Sequence, residues 1–166
     1  MRERNYNGPE FEVMKTGLVG KIAGAIHRDT TQFTGTDVGT EQTSHTITFA
    51  AGALNLVGRK VTIRARGTTS SDGDNKTVKL YFGTASFTTG AVAANNKHWW
   101  ADFEVYITGA ATQKTVGSAN LDGIIAPVYG TGTADTTAEV TCKCTVTNAG
   151  ADASDTVVEI FEIILD

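Results

Sequence analysis

The residues best suited to catalysis or metal binding are the three histidines, and they are spread along the chain. His27, His45 and His98 each stand alone, with no second histidine or carboxylate at the spacing of metal ligands. A catalytic or metal site needs several such groups to converge on one point. The sequence therefore predicts structural histidines, and it predicts no metal, no cofactor and no enzymatic activity.

An oxygen-rich segment, Ser-Asp-Gly-Asp-Asn at residues 71–75, has some of the residues found in calcium-binding loops. It lacks the distal glutamate of an EF-hand, and strands rather than helices are predicted on both sides of it. Gly, Asp and Asn are also the common residues of tight turns between strands. We interpret the segment as a hairpin turn rather than as a metal site.

Two cysteines, Cys142 and Cys144, are separated by one residue, so on a strand both side chains point to the same face. Neighbours at this spacing do not easily reach disulfide geometry, and two cysteines are too few for a four-cysteine zinc site. They share their predicted face with Val140 and Val146. We expect both to be small apolar core residues.

Adjacent tryptophans, Trp99 and Trp100, are the residues that could recognise a sugar, because exposed aromatic rings stack on sugars. Neighbouring residues on a strand point to opposite faces, so one tryptophan must lie in the core. The other shares a predicted face with Tyr106. We favour a subunit contact for Trp100 and Tyr106, since aromatic residues are enriched at such contacts, and sugar binding stays the alternative.

The elements that position these residues are predicted to be strands, because segments rich in Thr, Val and Ile alternate with turns rich in Gly, Asn and Asp. The chain has 166 residues, 18 of them Gly and 2 of them Pro, which suits one domain. Many short strands with regular turns indicate an all-β sandwich or barrel. The predicted strands cover residues 21–27, 44–50, 60–66, 77–82, 99–108, 113–119, 124–129, 138–147 and 156–165.

The last predicted strand is apolar on both faces, which is unusual for a strand of a sandwich. One face carries Val157, Phe161, Ile163 and Leu165, and the other carries Val158, Ile160 and Ile164. A sandwich core covers only one face of a strand, and no helix is predicted to cover the other. We therefore predict an oligomer interface formed by Val158, Ile160, Ile164, Trp100 and Tyr106.

The first 19 residues differ from the rest of the chain. They are polar and mixed in charge, and they have neither helical nor strand periodicity. We predict an N-terminal arm at 1–19 and one domain at 20–166. The apolar residues of the arm are predicted to dock on a partner, and the alternative is a frayed terminus without a role. They are Tyr6, Phe11, Val13 and Met14.

Charge and hydropathy argue against two classes of partner, nucleic acid and membrane. The net charge is -4 and the basic residues are scattered, which argues against nucleic-acid binding. No apolar run approaches the roughly 20 residues that span a bilayer. The N-terminal residues lack the apolar stretch of a signal peptide, so we expect assembly in the cytosol.

Several runs of the chain form a recognisable pattern together. The runs are Ala50–Leu54, Val61–Thr68, Asn75–Thr84, Trp99–Thr108, Ala111–Gln113, Asp135–Thr137 and Val158–Glu162. They resemble a family of tailed-phage virion proteins that are described as structural, decoration or tail-fibre proteins. The resemblance covers roughly residues 44–166, and the arm does not match the family pattern.

This resemblance implies a small jelly-roll β-sandwich of the tumour-necrosis-factor-like type that assembles as a homotrimer. It further implies a decoration or cement protein of the virion, which binds the major capsid protein and stabilises the shell. A tail, fibre or neck component with the same fold is the first alternative, and a carbohydrate-binding module for host attachment is the second. The family supplies no catalytic residue to carry over.

Overall fold

The computed structural model describes residues 24–36, 39–149 and 155–166, and the regular elements of these parts are β-strands. All nine predicted strands are present, eight of them with at least one shifted end, together with three short ones. The strands are β1 Gly24–Asp29, β2 Phe33–Thr34, β3 Gln42–Phe49, β4 Lys60–Thr69, β5 Asn75–Phe82, β6 Ala85–Thr88, β7 Val92–Ala93, β8 His98–Gly109, β9 Thr112–Asn120, β10 Ile124–Gly132, β11 Val140–Asn148 and β12 Thr156–Leu165.

The strands form two antiparallel sheets. The larger sheet has the order β1-β12-β4-β8-β9-β10, with β2 paired to β12, and the smaller has the order β3-β11-β5-β6, with β7 paired to β5. If β2, β7, β9 and β10 are left out, the remaining eight strands can be renumbered 1 to 8 along the chain. The larger sheet then has the order 1-8-3-6 and the smaller sheet has the order 2-7-4-5. That order is a jelly roll with two Greek keys, which confirms the predicted fold.

The core lies between the sheets and follows the predicted alternation in three strands. Alternate residues of β4, β8 and β11 are almost fully buried, while the residues between them are mostly less buried. Trp99 is the core tryptophan, and its indole N–H donates to the carbonyl of Thr68 at 3.2 Å. The inward set is Val61, Ile63, Ala65, Trp99, Ala101, Phe103, Val105, Ile107, Val140, Cys142, Cys144 and Val146.

The two sheets are in close contact where β9 faces β6. Gly117 of β9 lies against the ring of Phe87, and a Cβ added at this glycine would stand 2.0 Å from the nearest ring carbon. The ring of Phe87 stacks in turn on Phe103, with 6.4 Å between the ring centroids. Only a glycine at position 117 leaves room for this packing.

One predicted interface residue is placed wrongly, because β12 contains a β-bulge. Val158 pairs with Gly67 and Ile160 pairs with Arg66, so Glu159 is an extra residue on β12. The bulge shifts the alternation of inward and outward side chains by one residue. The side chain of Val158 therefore points into the core, where it is 0% exposed. Val158 is therefore unable to contact a second subunit.

The interpretation of residues 71–75 as a hairpin turn is also wrong. β4 ends at Thr69 in the larger sheet, and β5 begins at Asn75 in the smaller sheet. The loop thus crosses from one sheet to the other, and its acidic residues lie at an end of the sandwich where both sheets meet.

The predicted arm at 1–19, with Tyr6, Phe11, Val13 and Met14, lies outside the described residues. Its docking role stays a prediction.

Candidate functional site

The solvent-facing side of the larger sheet, which we call the outer face, brings together four of the five predicted interface residues. Ile160 and Ile164 lie there on β12, and Trp100 and Tyr106 lie there on β8. Cross-strand register places Ile160 next to Arg66, and Arg66 next to Trp100. Ile160 and Tyr106 are each 37% exposed, which is high for large apolar side chains on a strand.

Trp100 is held in place by the neighbouring arginine. The guanidinium of Arg66 lies 5.7 Å from the centre of the Trp100 ring. The same group donates to Asp102 Oδ1 at 2.7 Å and to the carbonyls of Ala65 and Ala101. A cation therefore occupies one side of the ring, which leaves less of Trp100 free to stack on a sugar.

Charges of alternating sign cross the middle of the outer face. In register, Arg28, Glu162, Arg64 and Asp102 follow one another on β1, β12, β4 and β8. Arg28 Nε donates to Glu162 Oε1 at 3.0 Å, and Arg64 Nε lies 3.7 Å from Asp102 Oδ1. Opposite charges side by side stabilise neighbouring strands, and they leave the face with little net charge.

A shallow depression lies at the β8-β9-β10 end of the outer face. Tyr106 and Tyr129 both line it, and Tyr129 is 79% exposed. The Tyr106 hydroxyl donates to Glu104 Oε2 at 2.7 Å, and this hydrogen bond raises the pKa of Tyr106. Sequence reasoning included Tyr106 in the predicted interface but missed Tyr129, because an irregularity between Ile125 and Val128 interrupts the alternation of β10. The remaining lining residues are Lys114, Thr115, Val116, Gly130 and Thr131.

Two of the three histidines and both cysteines take part in packing, whereas His98 is exposed at the start of β8. The His45 ring stacks on Phe161 with 5.6 Å between centroids, and His27 meets the same ring edge-on at 6.0 Å. Cys142 and Cys144 are free and buried, and desolvation raises the pKa of each thiol to about 12. Such thiols are poor nucleophiles, in keeping with the predicted core role.

A second cluster of functional groups was not foreseen. Asp72 and Asp74 of the inter-sheet loop meet Asp155, which directly precedes β12, and their candidate ligand atoms all lie within 4.8 Å of one another. The oxygen-rich segment at 71–75 contains two of the three carboxylates. Asp155 carries no signal of its own, because only the tertiary fold brings it to the loop.

Comparisons with known proteins leave the family open. No protein-family model and no curated protein matches this chain. One solved structure that it resembles is a GH43 glycoside hydrolase, engineered to display both endo-xylanase and exo-arabinofuranosidase activity. The identity is 14%, the TM-score is 0.36, and the match covers 63% of this chain and 29% of the hydrolase. So distant a likeness carries no argument about function.

Among the residues that the structure describes, no helix is long and apolar enough to cross a membrane.

Proposed function

We propose that this chain is a non-enzymatic structural subunit of a phage virion that self-associates through the outer face, with three copies in the assembly. The observation that carries this proposal is the composition of that face. It combines the exposed side chains of Ile160 and Tyr106 with the half-buried Ile164 and Trp100, around charges of both signs. Apolar and aromatic groups among paired charges are typical of surfaces that meet another protein.

The apolar side chains of this face would contribute to association when a second copy covers them. Burying one isoleucine or aromatic side chain contributes about 1.5 to 3 kcal/mol. Ile160 is only 37% exposed in the single subunit and Ile164 is half-buried, so we expect each to contribute less than about 1.5 kcal/mol. Alternating charges allow a second copy to place acids opposite arginines, which favours one register of docking.

Within the virion, the role that we propose is decoration or cementing of the shell. The jelly-roll domain would supply the oligomer, and the arm at 1–19 would bind the major capsid protein. Each copy would add contact area between neighbouring capsid proteins and oppose the internal pressure of the packaged genome. A tail, fibre or neck component with the same fold is the alternative.

The copy number of the chain in purified particles tests this role. A cement protein is expected in hundreds of copies, similar to the major capsid protein, whereas a tail or neck component is expected in far fewer. Deletion of residues 1–16 is expected to leave a folded oligomer that no longer binds purified shells. Saturation of shells by the truncated protein with unchanged affinity would contradict docking through the arm.

A carbohydrate-binding role is the second candidate, and the depression with Tyr106 and Tyr129 is the observation that favours it. Two tyrosines beside Lys114 and Thr131 offer both stacking and hydrogen bonding to a sugar. A glycan array with the wild-type protein and with Tyr129→Ala tests it. Glycan binding that is lost in the variant would support this role, and an array without signal would exclude it for the glycans printed.

A further inference from the structure

The acidic cluster at the end of the sandwich is built from two distant parts of the chain and fixed by backbone hydrogen bonds. The Ser70 N–H donates to the Asp155 carbonyl at 3.1 Å, which joins the inter-sheet loop to the residue before β12. The Asp74 N–H donates to Asp72 Oδ1 at 2.9 Å, which orients that carboxylate. These two hydrogen bonds hold the loop against the residue before β12 and orient the Asp72 carboxylate.

One oxygen of this cluster has no partner. Asp155 is 0% exposed, and its Oδ2 makes no hydrogen bond with any described residue. Its other oxygen, Oδ1, accepts a hydrogen bond from the Ser70 hydroxyl at 3.3 Å. A buried carboxylate oxygen without a donor is costly, because water no longer solvates it. A ligand from outside the chain would satisfy it.

Charge points to a cation of more than one charge. The side chain of Lys76 is 0% exposed, and its ammonium group donates to Asp72 Oδ1 and to the Asp74 carbonyl. Lys76 neutralises one of the three carboxylates, so the cluster keeps two negative charges when all three are ionised. A single divalent cation would balance them.

The chemical type of the donor atoms indicates which metal ion would bind. Asp72, Asp74 and Asp155 offer carboxylate oxygens, and Ser70 adds a hydroxyl oxygen that contacts both Asp72 and Asp155. Oxygen-only ligands suit the hard cations Ca²⁺ and Mg²⁺. Mg²⁺ requires near-octahedral geometry, whereas Ca²⁺ accepts irregular sets of ligands and completes its shell with water. An irregular set of loop side chains fits Ca²⁺ better.

We propose that Ser70, Asp72, Asp74 and Asp155 form a calcium site that fastens the inter-sheet loop to the start of β12. The Thr156–Thr69 pair, where β12 first joins β4, adjoins the site directly, because Asp155 precedes Thr156 and Ser70 follows Thr69. A bound ion would thus hold the larger sheet together at the end where β12 enters it. The site is separate from the outer face, so the result of a test for calcium binding is independent of the proposed function.

Calorimetric titration of the chelator-treated full chain with CaCl₂, and separately with MgCl₂, tests this proposal. The expected result is one saturable Ca²⁺ site per chain and a weaker response to Mg²⁺. At a free calcium concentration of 100 times Kd, the melting temperature should rise by roughly 5 to 10 °C. Asp155→Asn and Asp74→Asn should each abolish the rise. Asp122→Asn, which changes an exposed loop aspartate paired with Lys97, should keep it.

A shared proton is the competing explanation for the unpartnered oxygen. If Asp72 and Asp155 hold a proton between them, the chain needs no metal. The absence of both saturable heat and a rise in melting temperature at about 5 mM calcium, above the range of weak extracellular sites, would then overturn the proposal. An equal rise in wild type, Asp155→Asn, Asp74→Asn and Asp122→Asn would overturn it as well, because it would show calcium acting elsewhere.

Discussion

Replacement of Gly117 by alanine tests the packing between the two sheets. The added Cβ would lie 2.0, 2.3 and 2.7 Å from three carbons of the Phe87 ring. The ring has little room to retreat, because Phe87 is 5% exposed and stacks on Phe103. Overpacking of this kind costs about 1 to 3 kcal/mol, and we expect the upper end of that range. For a chain of this length, about 3 kcal/mol corresponds to a fall of roughly 6 to 12 °C in melting temperature.

Thermal unfolding followed by circular dichroism, with chelator present, measures this effect. Gly73→Ala is the matched control, since a Cβ at Gly73 meets no atom within 4 Å, and its melting temperature should change by less than about 2 °C. Phe87→Leu should make room for the new methyl group, so the double variant should lose less stability than the two single variants together. This account of the sheet contact would be refuted if Gly117→Ala had the melting temperature of the wild type. It would also be refuted if the stability lost in the double variant equalled the sum of the losses in the two single variants.

Two further predictions concern ionisable groups. Burial would raise the pKa of Glu41, but hydrogen bonds from Lys79 and Tyr81 outweigh it and lower the pKa from 4.5 to about 2. The resulting stabilisation is present above about pH 4.5 and is lost as the pH falls towards 2, so Glu41→Gln should flatten the pH dependence of urea unfolding in that window; an unchanged profile would count against it. The thiols of Cys142 and Cys144 should react with a thiol reagent only on unfolding, and their replacement by alanine should cost about 1 to 3 kcal/mol without loss of the oligomer, as urea unfolding and light scattering would show. Fast labelling of the folded protein, or dissociation on replacement, would contradict their core role.

The strands could be predicted from sequence because alternation is a local property. Val61, Ile63 and Ala65 show it in β4, and their burial follows directly from the pleat of a strand. The strands β2, β6 and β7 were missed because two to four residues are too few to show a period. The order of the strands was expected from the resemblance to virion proteins, not from the pattern of residues.

The site was only partly predictable, because features set by tertiary structure leave little local signal. The bulge at Glu159 points the side chain of Val158 into the core, and nothing in this run of apolar residues indicates where the bulge lies. Asp155 meets Asp72 only because β12 pairs with β4. Tyr129 was within a predicted strand, but its exposure depends on the irregular pairing of β10 with β9.

The mass of the Ile160→Asp protein in solution tests the central claim that the outer face forms the oligomer. Multi-angle light scattering after size exclusion should give the wild type three times the chain mass of 17.5 kDa. Ile160→Asp should give a folded monomer, because association would remove water from the new carboxylate, and the neighbouring Arg66 is already paired with Asp102. Thr46→Asp, on the exposed face of the smaller sheet opposite Lys143, should keep the wild-type mass. A folded Ile160→Asp protein with the wild-type mass, or a wild type that is itself monomeric, would contradict the claim.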